Sequence, residues 1–418
     1  MNSICSIAFR LVWPAMFVLA LFTTRPAFAQ STPAAATLSA SVESPLDYQV
    51  FQRQTQEKGK VLISGHVPEG CPRVEAQLTG QSIVGKLPGH WKRVPLDCTS
   101  HTFHAEWSAP AGGFYEFGFR LLKSGKPAFE TRVPHVGVGE VFVIAGQSNS
   151  TNHGEVLQQT KSGMVSSFNG SSWSIANDPQ LGVQDHSTKG SFIPAFGDAL
   201  YDRYHVPIAV ASVGHGSTSV RQWLPRGERI DVPPTYPKFV ITTASNTLES
   251  SGELFDGLMK RVNQLGRGGF RALLWHQGES DSNQKPEHQI TGDDYRRMLE
   301  HIIRESQRQA GWDFPWFVAR VSYSPKSSSS PAIREAQQNL WKAGVAVEGP
   351  DTDTLTGDYR QDNGTNVHFS ASGLQAHGKL WAEKVEVYLD SVLKLGLHSF
   401  RPRRYWLGVM DVQSLNTR

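Results

Sequence analysis

Residues 141–144, Val-Phe-Val-Ile, form an unbroken apolar run that stops at Ala145-Gly146 and is followed by Gln147-Ser148-Asn149-Ser150. Consecutive apolar residues without polar alternation, bounded by glycine, read as a strand buried on both faces, the kind found in parallel sheets. Similar runs recur at 207–213 (PIAVASV), 271–277 (RALLWHQ), 316–323 (WFVARVSY) and 345–349 (VAVEG). Between them the apolar residues change period. Leu254, Phe255, Leu258, Val262 and Leu265 fall on one face at helical spacing, as do Leu299, Ile302 and Ile303, and Ala336, Leu340 and Trp341. Leu374, Leu380, Trp381, Val385 and Leu389 mark a last helix, capped by Ser370 or Ser372. Repeated strand–helix units predict an α/β fold over residues 138–395: a doubly wound parallel sheet with helices on both faces.

The preceding region reads differently. Over residues 44–137, short runs such as VLISGHV and YEFGFRLL are separated by Gly, Pro and Ser, and Tyr115, Phe117, Phe119 and Leu121 alternate with more polar residues. That period of two predicts half-buried strands and a small all-β sandwich. Residues 1–29 read as a secretory signal: Arg10, an apolar core from Leu11 to Phe22 interrupted by Pro14, and the small-x-small site Ala27-Phe28-Ala29. The core is too short to span a bilayer, so no integral membrane segment is expected after signal removal. Residues 30–43 read as a linker and 396–418 as a basic, aromatic tail. Loss of the signal removes Arg10 and Arg25 and no acid, taking the formal charge from +3 to +1. This balance provides no electrostatic footprint for nucleic acid or an anionic membrane. Cys5 leaves with the signal, and Cys71 and Cys98 remain as an even pair, a candidate disulfide in a secreted or periplasmic chain. No cysteine or histidine spacing matches a metal site.

In a doubly wound sheet, catalytic groups gather from the carboxyl ends of different strands. Ser148 follows the first such strand, where Gly146 permits a tight turn and a helix start would aim N–H groups at the hydroxyl. Gly214-His215-Gly216-Ser217-Thr218 follows the second, and a backbone N–H there suits an oxyanion. Gln277 ends the third in Trp275-His276-Gln277-Gly278-Glu279-Ser280-Asp281, a density of polar groups costly to bury unless the surroundings use them. His368 precedes the last helix at the sheet's carboxyl edge. His153 and Asn152 lie just past Ser148, and Trp223, Trp173 and Trp275 are aromatic candidates for stacking on a sugar.

In this order, GQSN around Ser148, the glycine turn before Thr218 with Trp223 after it, WHQGE around Gln277 and VHFS around His368 resemble the SGNH hydrolase superfamily. Within it they are similar to the sialate O-acetylesterase-like carbohydrate esterases, which include acetylxylan esterases. The resemblance spans residues 138–395, and relatives also carry a β-domain before the GQSN strand. It implies Ser148 as nucleophile and His368 as base. It implies an oxyanion hole from the Ser148 N–H, Gln277 and either Gly216 or Ser217, and it implies no cofactor.

The chain departs from that pattern where relatives place an aspartate two or three residues before the histidine; Asn366 and Thr365 stand there. Either a Ser–His dyad operates, with His368 held by a backbone carbonyl or Asn366, or Asp362, Asp353 or Glu279 substitutes. The expected activity is serine-dependent hydrolysis of acetyl esters on glycans through an acetyl-enzyme, with an acetylated carbohydrate as partner. A glycan O-acyltransferase and a non-catalytic glycan-binding protein are the alternatives.

Overall fold

The structure, a computed structural model, describes residues 40–394 apart from residue 69 and residues 326–328. The signal at 1–29, the linker up to residue 39 and the tail at 396–418 lie outside the described residues.

One strand organises the described chain. Lys126–Gly146 runs for 21 residues. Its first half pairs antiparallel with Gly112–Lys123 through a two-residue turn at Ser124-Gly125, both with positive φ (51° and 77°), as a hairpin of that length prefers. Its second half is the centre of a parallel sheet, flanked by Ile208–Ser212 on one side and Ala272–His276 on the other. Val165–Phe168 extends the sheet beyond Ile208–Ser212, and Trp173–Ile175 closes that edge antiparallel. Trp316–Arg320 and Val347–Asp351 extend the opposite side. The chain thus starts in the middle, builds one wing, returns and builds the other, which places a switch point at the carboxyl end of the Gly146 strand.

Alternate side chains of the central strand serve different cores. Phe142 and Ile144 pack under Ile193–Tyr204 and Ala371–Lys394, through Phe196, Leu200, Trp381 and Leu389. Val141, Val143 and Ala145 pack under Glu253–Leu265, Gly292–Ala310 and Pro331–Lys342, through Leu258, Ile302 and Leu340. Full burial on both faces is why these strands carry no polar alternation.

Before this sheet lie antiparallel strands, including Lys58–His66 and Thr102–Pro110 in a four-stranded sheet and Arg73–Thr79 beside Gly112–Lys123. Phe103 of one sheet stacks on Phe119 of the other at 4.8 Å, and Tyr115, Phe117, Phe119 and Leu121 are buried as their alternation requires. Two expected boundaries fall within strands. Residues assigned to a linker up to 43 include a strand, Ser41–Ser44, paired with Lys58–His66. The break placed between 137 and 138 falls inside the continuous strand Lys126–Gly146. Gly139, which suggests a break, is a contact glycine: a Cβ there would sit 1.8 Å from the Pro207 carbonyl oxygen. The junction is fastened by Glu140, fully buried between Arg53 (2.7 Å) and Arg271 (2.8 Å). Cys71 and Cys98 are joined by a disulfide.

Candidate active site

Gly146 ends the central strand at φ 127°, and a Cβ there would lie 2.1 Å from the His276 carbonyl oxygen, so no other residue fits this turn. The expected helix start after it is a single 3-10 turn, Ser148–Ser150. Ser150 and Thr151 give their hydroxyls to the carbonyls of Gln147 and Ser148. The Ser148 hydroxyl, on a residue 5 % exposed, has no partner among the described residues and faces a cavity of about 350 Å³. It is not among the sealed, unpaired hydroxyls of the described residues, so it is open to the cavity and available to a substrate.

The same cavity is lined by His368, Asn366, Thr365 and Val367, by Glu279, Ser280, Asn283 and Gln284, by Gln147, Ser217 and Gln222, and by Tyr236 and Tyr323. His368 sits on a loop held by Arg360. That guanidinium donates to the carbonyls of Leu355, Thr352 and Val367 and lies between the rings of Tyr323 (4.1 Å) and Phe369 (4.0 Å). Asn366 Oδ1 accepts the His368 backbone N–H at 3.1 Å, and Asn366 Nδ2 donates to Asp362 at 2.7 Å. Asn366 and Asp362 therefore fix the backbone of His368, not its ring. Burial, reinforced by His153 with its ring centre 5.1 Å away and by the positive charge of Lys189, pushes the His368 imidazole down to about 4. It is neutral at physiological pH, the form a general base requires. Ser370 caps the following helix, accepting the Gly373 N–H.

Asp353 is not brought to the cavity. It accepts the N–H groups of Ser322 and Tyr323 and pairs with Arg334 at 2.6 Å. Glu279, among the described residues, is the only carboxylate lining the cavity. Its Oε1 accepts from Asn149 Nδ2 at 2.9 Å, and its Oε2 has no partner. Asn149 also donates to the Val367 carbonyl at 3.2 Å, so one side chain ties the serine turn, the carboxylate and the histidine loop together. Burial outweighs the Asn149 bond and pushes the Glu279 carboxyl up to about 7.

The expected oxyanion donors Gln277 and Gly216 have partners of their own. Gln277 is fully buried and outside the cavity; its Nε2 donates to Asp281 at 2.6 Å and to the Thr218 carbonyl at 3.0 Å, and its Oε1 accepts from Tyr295. Both its N–H bonds are engaged, so it belongs to the packing network. The Gly216 N–H donates to Asp185 at 2.7 Å. Ser217, at φ 59°, lines the cavity instead, and its N–H has no acceptor among the described residues. Trp275, His276 and Asp281 of the WHQGESD segment are structural: Trp275 packs between Trp223 and Trp316, His276 lies 2.9 Å from the Thr352 hydroxyl, and Asp281 pairs with Arg221 and Ser219. Asn152 is buried in bonds to Gln180 and Ser187. His153 stands beside His368, 3.7 Å from Asp185. Trp223 and Trp275 are core, and Trp173 stacks on Phe168 outside the cavity.

Tyr236, 71 % exposed, is the aromatic residue at the cavity mouth that sequence reasoning misses. It lies in a Pro-Pro-Thr-Tyr-Pro segment whose backbone carbonyl at Tyr236 accepts from Gln222 at 3.2 Å. Proline around an exposed aromatic residue is the signal that could have found it. Among the described residues no group of side chains could hold a metal ion, and no helix is long and apolar enough to cross a membrane.

An unpartnered Ser148 and a neutral His368 thus line one cavity at the switch point of a three-layer α/β sheet. Residues 138–386 match the family described as carbohydrate esterase, sialic acid-specific acetylesterase, and the chain belongs to that family. Among solved structures, it is similar to a carbohydrate acetylesterase from Xanthomonas citri, with 15 % identity, 83 % of this chain and 74 % of that one covered, and a TM-score of 0.48. An Arabidopsis thaliana protein shares 17 % identity over 60 % of this chain and 98 % of its own (TM-score 0.42). The psychrotrophic esterase EstA from a Pseudoalteromonas species shares 8 % over 60 % and 99 % (TM-score 0.35). No curated protein matches the chain in sequence.

Proposed function

We propose that this esterase removes acetyl groups from sugar hydroxyls by a serine mechanism. The observation that carries the reading is the unpartnered Ser148 hydroxyl, open to the cavity that a neutral His368 also lines. His368 takes the proton as Ser148 Oγ attacks the acetyl carbonyl carbon. The tetrahedral intermediate collapses, the carbon–oxygen bond to the sugar breaks, and His368 returns the proton to the leaving sugar oxygen. Water, deprotonated by the same imidazole, then hydrolyses the acetyl-enzyme to acetate and free serine. Glu279, the carboxylate lining the same cavity as His368, takes the place of the missing aspartate once it is ionised. Tyr236 is the platform for a sugar ring, offering an exposed aromatic face at the mouth.

The N-terminal signal pattern and the Cys71–Cys98 disulfide together support an exported protein, since disulfides persist in oxidising compartments. The test is acetate release from an aryl acetate and from acetylated xylan. The chain should release acetate from both, and Ser148→Ala should abolish release from both. Full activity in the variant would refute the serine reading.

A further inference from the structure

With Gln277 and the Gly216 N–H engaged elsewhere, the oxyanion would retain only backbone donors at Ser148 and Ser217. The side chain immediately before the nucleophile offers another. Gln147 is 3 % exposed and lines the cavity beside Ser148. Its Oε1 accepts from the Ser280 N–H at 3.0 Å, the Gly278 N–H at 3.3 Å and Gln277 Nε2 at 3.3 Å. Two of these donors are backbone N–H groups, which can face only an oxygen, so they settle which end of the amide is which. The NH₂ end then points the other way. It has no acceptor among the described residues and is not among the side-chain atoms sealed from solvent. The Gln147 backbone is fixed as well: its N–H donates to the His276 carbonyl, and its own carbonyl accepts both the N–H and the hydroxyl of Ser150.

We propose that Gln147 Nε2 donates to the acetyl carbonyl oxygen as it becomes an oxyanion. This inference rests on Ser148 being the nucleophile. As the Ser148 Oγ–carbon bond forms, the carbonyl π pair moves onto the oxygen, and the Gln147 N–H meets that charge from a position set before substrate arrives. Three donors on Oε1 draw electron density from the amide and strengthen the N–H as a donor. The Gln277–Asp281 network acts at one remove, holding the loop that orients Gln147.

The test uses two variants on the full chain with an aryl acetate. Gln147→Glu retains an oxygen for Gly278 and Ser280 but removes the donor; Gln147→Met removes the donor without adding charge. Both should lower kcat by about 10²–10³, the loss seen on removing one oxyanion donor, with KM within about threefold. An aryl trifluoromethyl ketone, which forms a tetrahedral adduct on serine, should lose affinity by the same factor as kcat/KM. A merely structural role would not link those two losses. If Gln147→Met fails to fold, Gln147→Glu alone decides. A folded variant retaining kcat within about tenfold, or losing it without weaker ketone binding, overturns the proposal. Ser148→Ala separates the two readings: if it releases acetate, the nucleophile is wrong; if it is inert while a folded Gln147 variant is active, Gln147 alone is wrong.

Discussion

Two titrating side chains at the cavity give opposite demands on pH. His368, pushed down to about 4 by burial, is already a free base across the neutral range. Glu279, pushed up to about 7 by burial, is protonated below that pH and cannot then stabilise an imidazolium. Accordingly, kcat/KM should rise with pH through about 7, as Glu279 ionises. Glu279→Gln should lower the plateau by about 10²–10⁴ and remove that limb, leaving only the fall near 4. Asp362→Asn should leave the limb near 7 in place. A pH–rate series on the three proteins decides, and an unchanged limb in Glu279→Gln would exclude the assignment. Tyr236→Ala should raise KM for acetylated xylan roughly 2- to 12-fold while leaving the aryl acetate unaffected, the effect of one aromatic contact on a sugar. The residue types of this site are legible in sequence; their directions are not. GQSN and VHFS mark Ser148 and His368 by position, and both line the cavity. Nothing in WHQGESD reveals that the Gln277 amide is held by Asp281 four residues on, or that Glu279 alone of the segment's charged groups lines the cavity.

At the scale of elements, the buried parallel strands are legible because burial on both faces leaves an unmistakable apolar run. Elements without that signature are not. Val165–Phe168 and Trp173–Ile175 are short and serine-rich, and Ile193–Tyr204 carries Pro194 and Gly197. The long strand reads as two because Pro134, Gly137 and Gly139 look like punctuation. The junction within that strand depends on Glu140, fully buried between two arginines whose charges outweigh desolvation and hold its carboxyl below the usual range. Glu140→Ala strands two buried guanidinium groups and should cost about 3–5 kcal/mol in chemical denaturation. Because the folded carboxyl titrates below the unfolded one, its contribution is present above the ordinary carboxylate range and is lost as pH falls through the folded value. The stability gap between wild type and Glu140→Ala should therefore narrow in acid; a gap independent of pH would contradict the role of the ion pair.

For the whole molecule, the antiparallel region and the catalytic sheet share one strand and one hydrophobic cluster, from Val61 and Phe119 through Phe142 to Trp381. The disulfide closes a span of 27 residues far from the cavity in sequence. Cys71→Ser with Cys98→Ser should lower unfolding stability by about 3 kcal/mol and leave acetate release unchanged at moderate temperature. The claim on which the rest depends is that Ser148 carries the acetyl group. Its most direct measurement is mass spectrometry of the protein quenched in acid during turnover of an aryl acetate. One added acetyl group is expected on the peptide containing Ser148, absent from Ser148→Ala. Turnover with no acetyl on that peptide, or acetylation at another residue that survives Ser148→Ala, would contradict it.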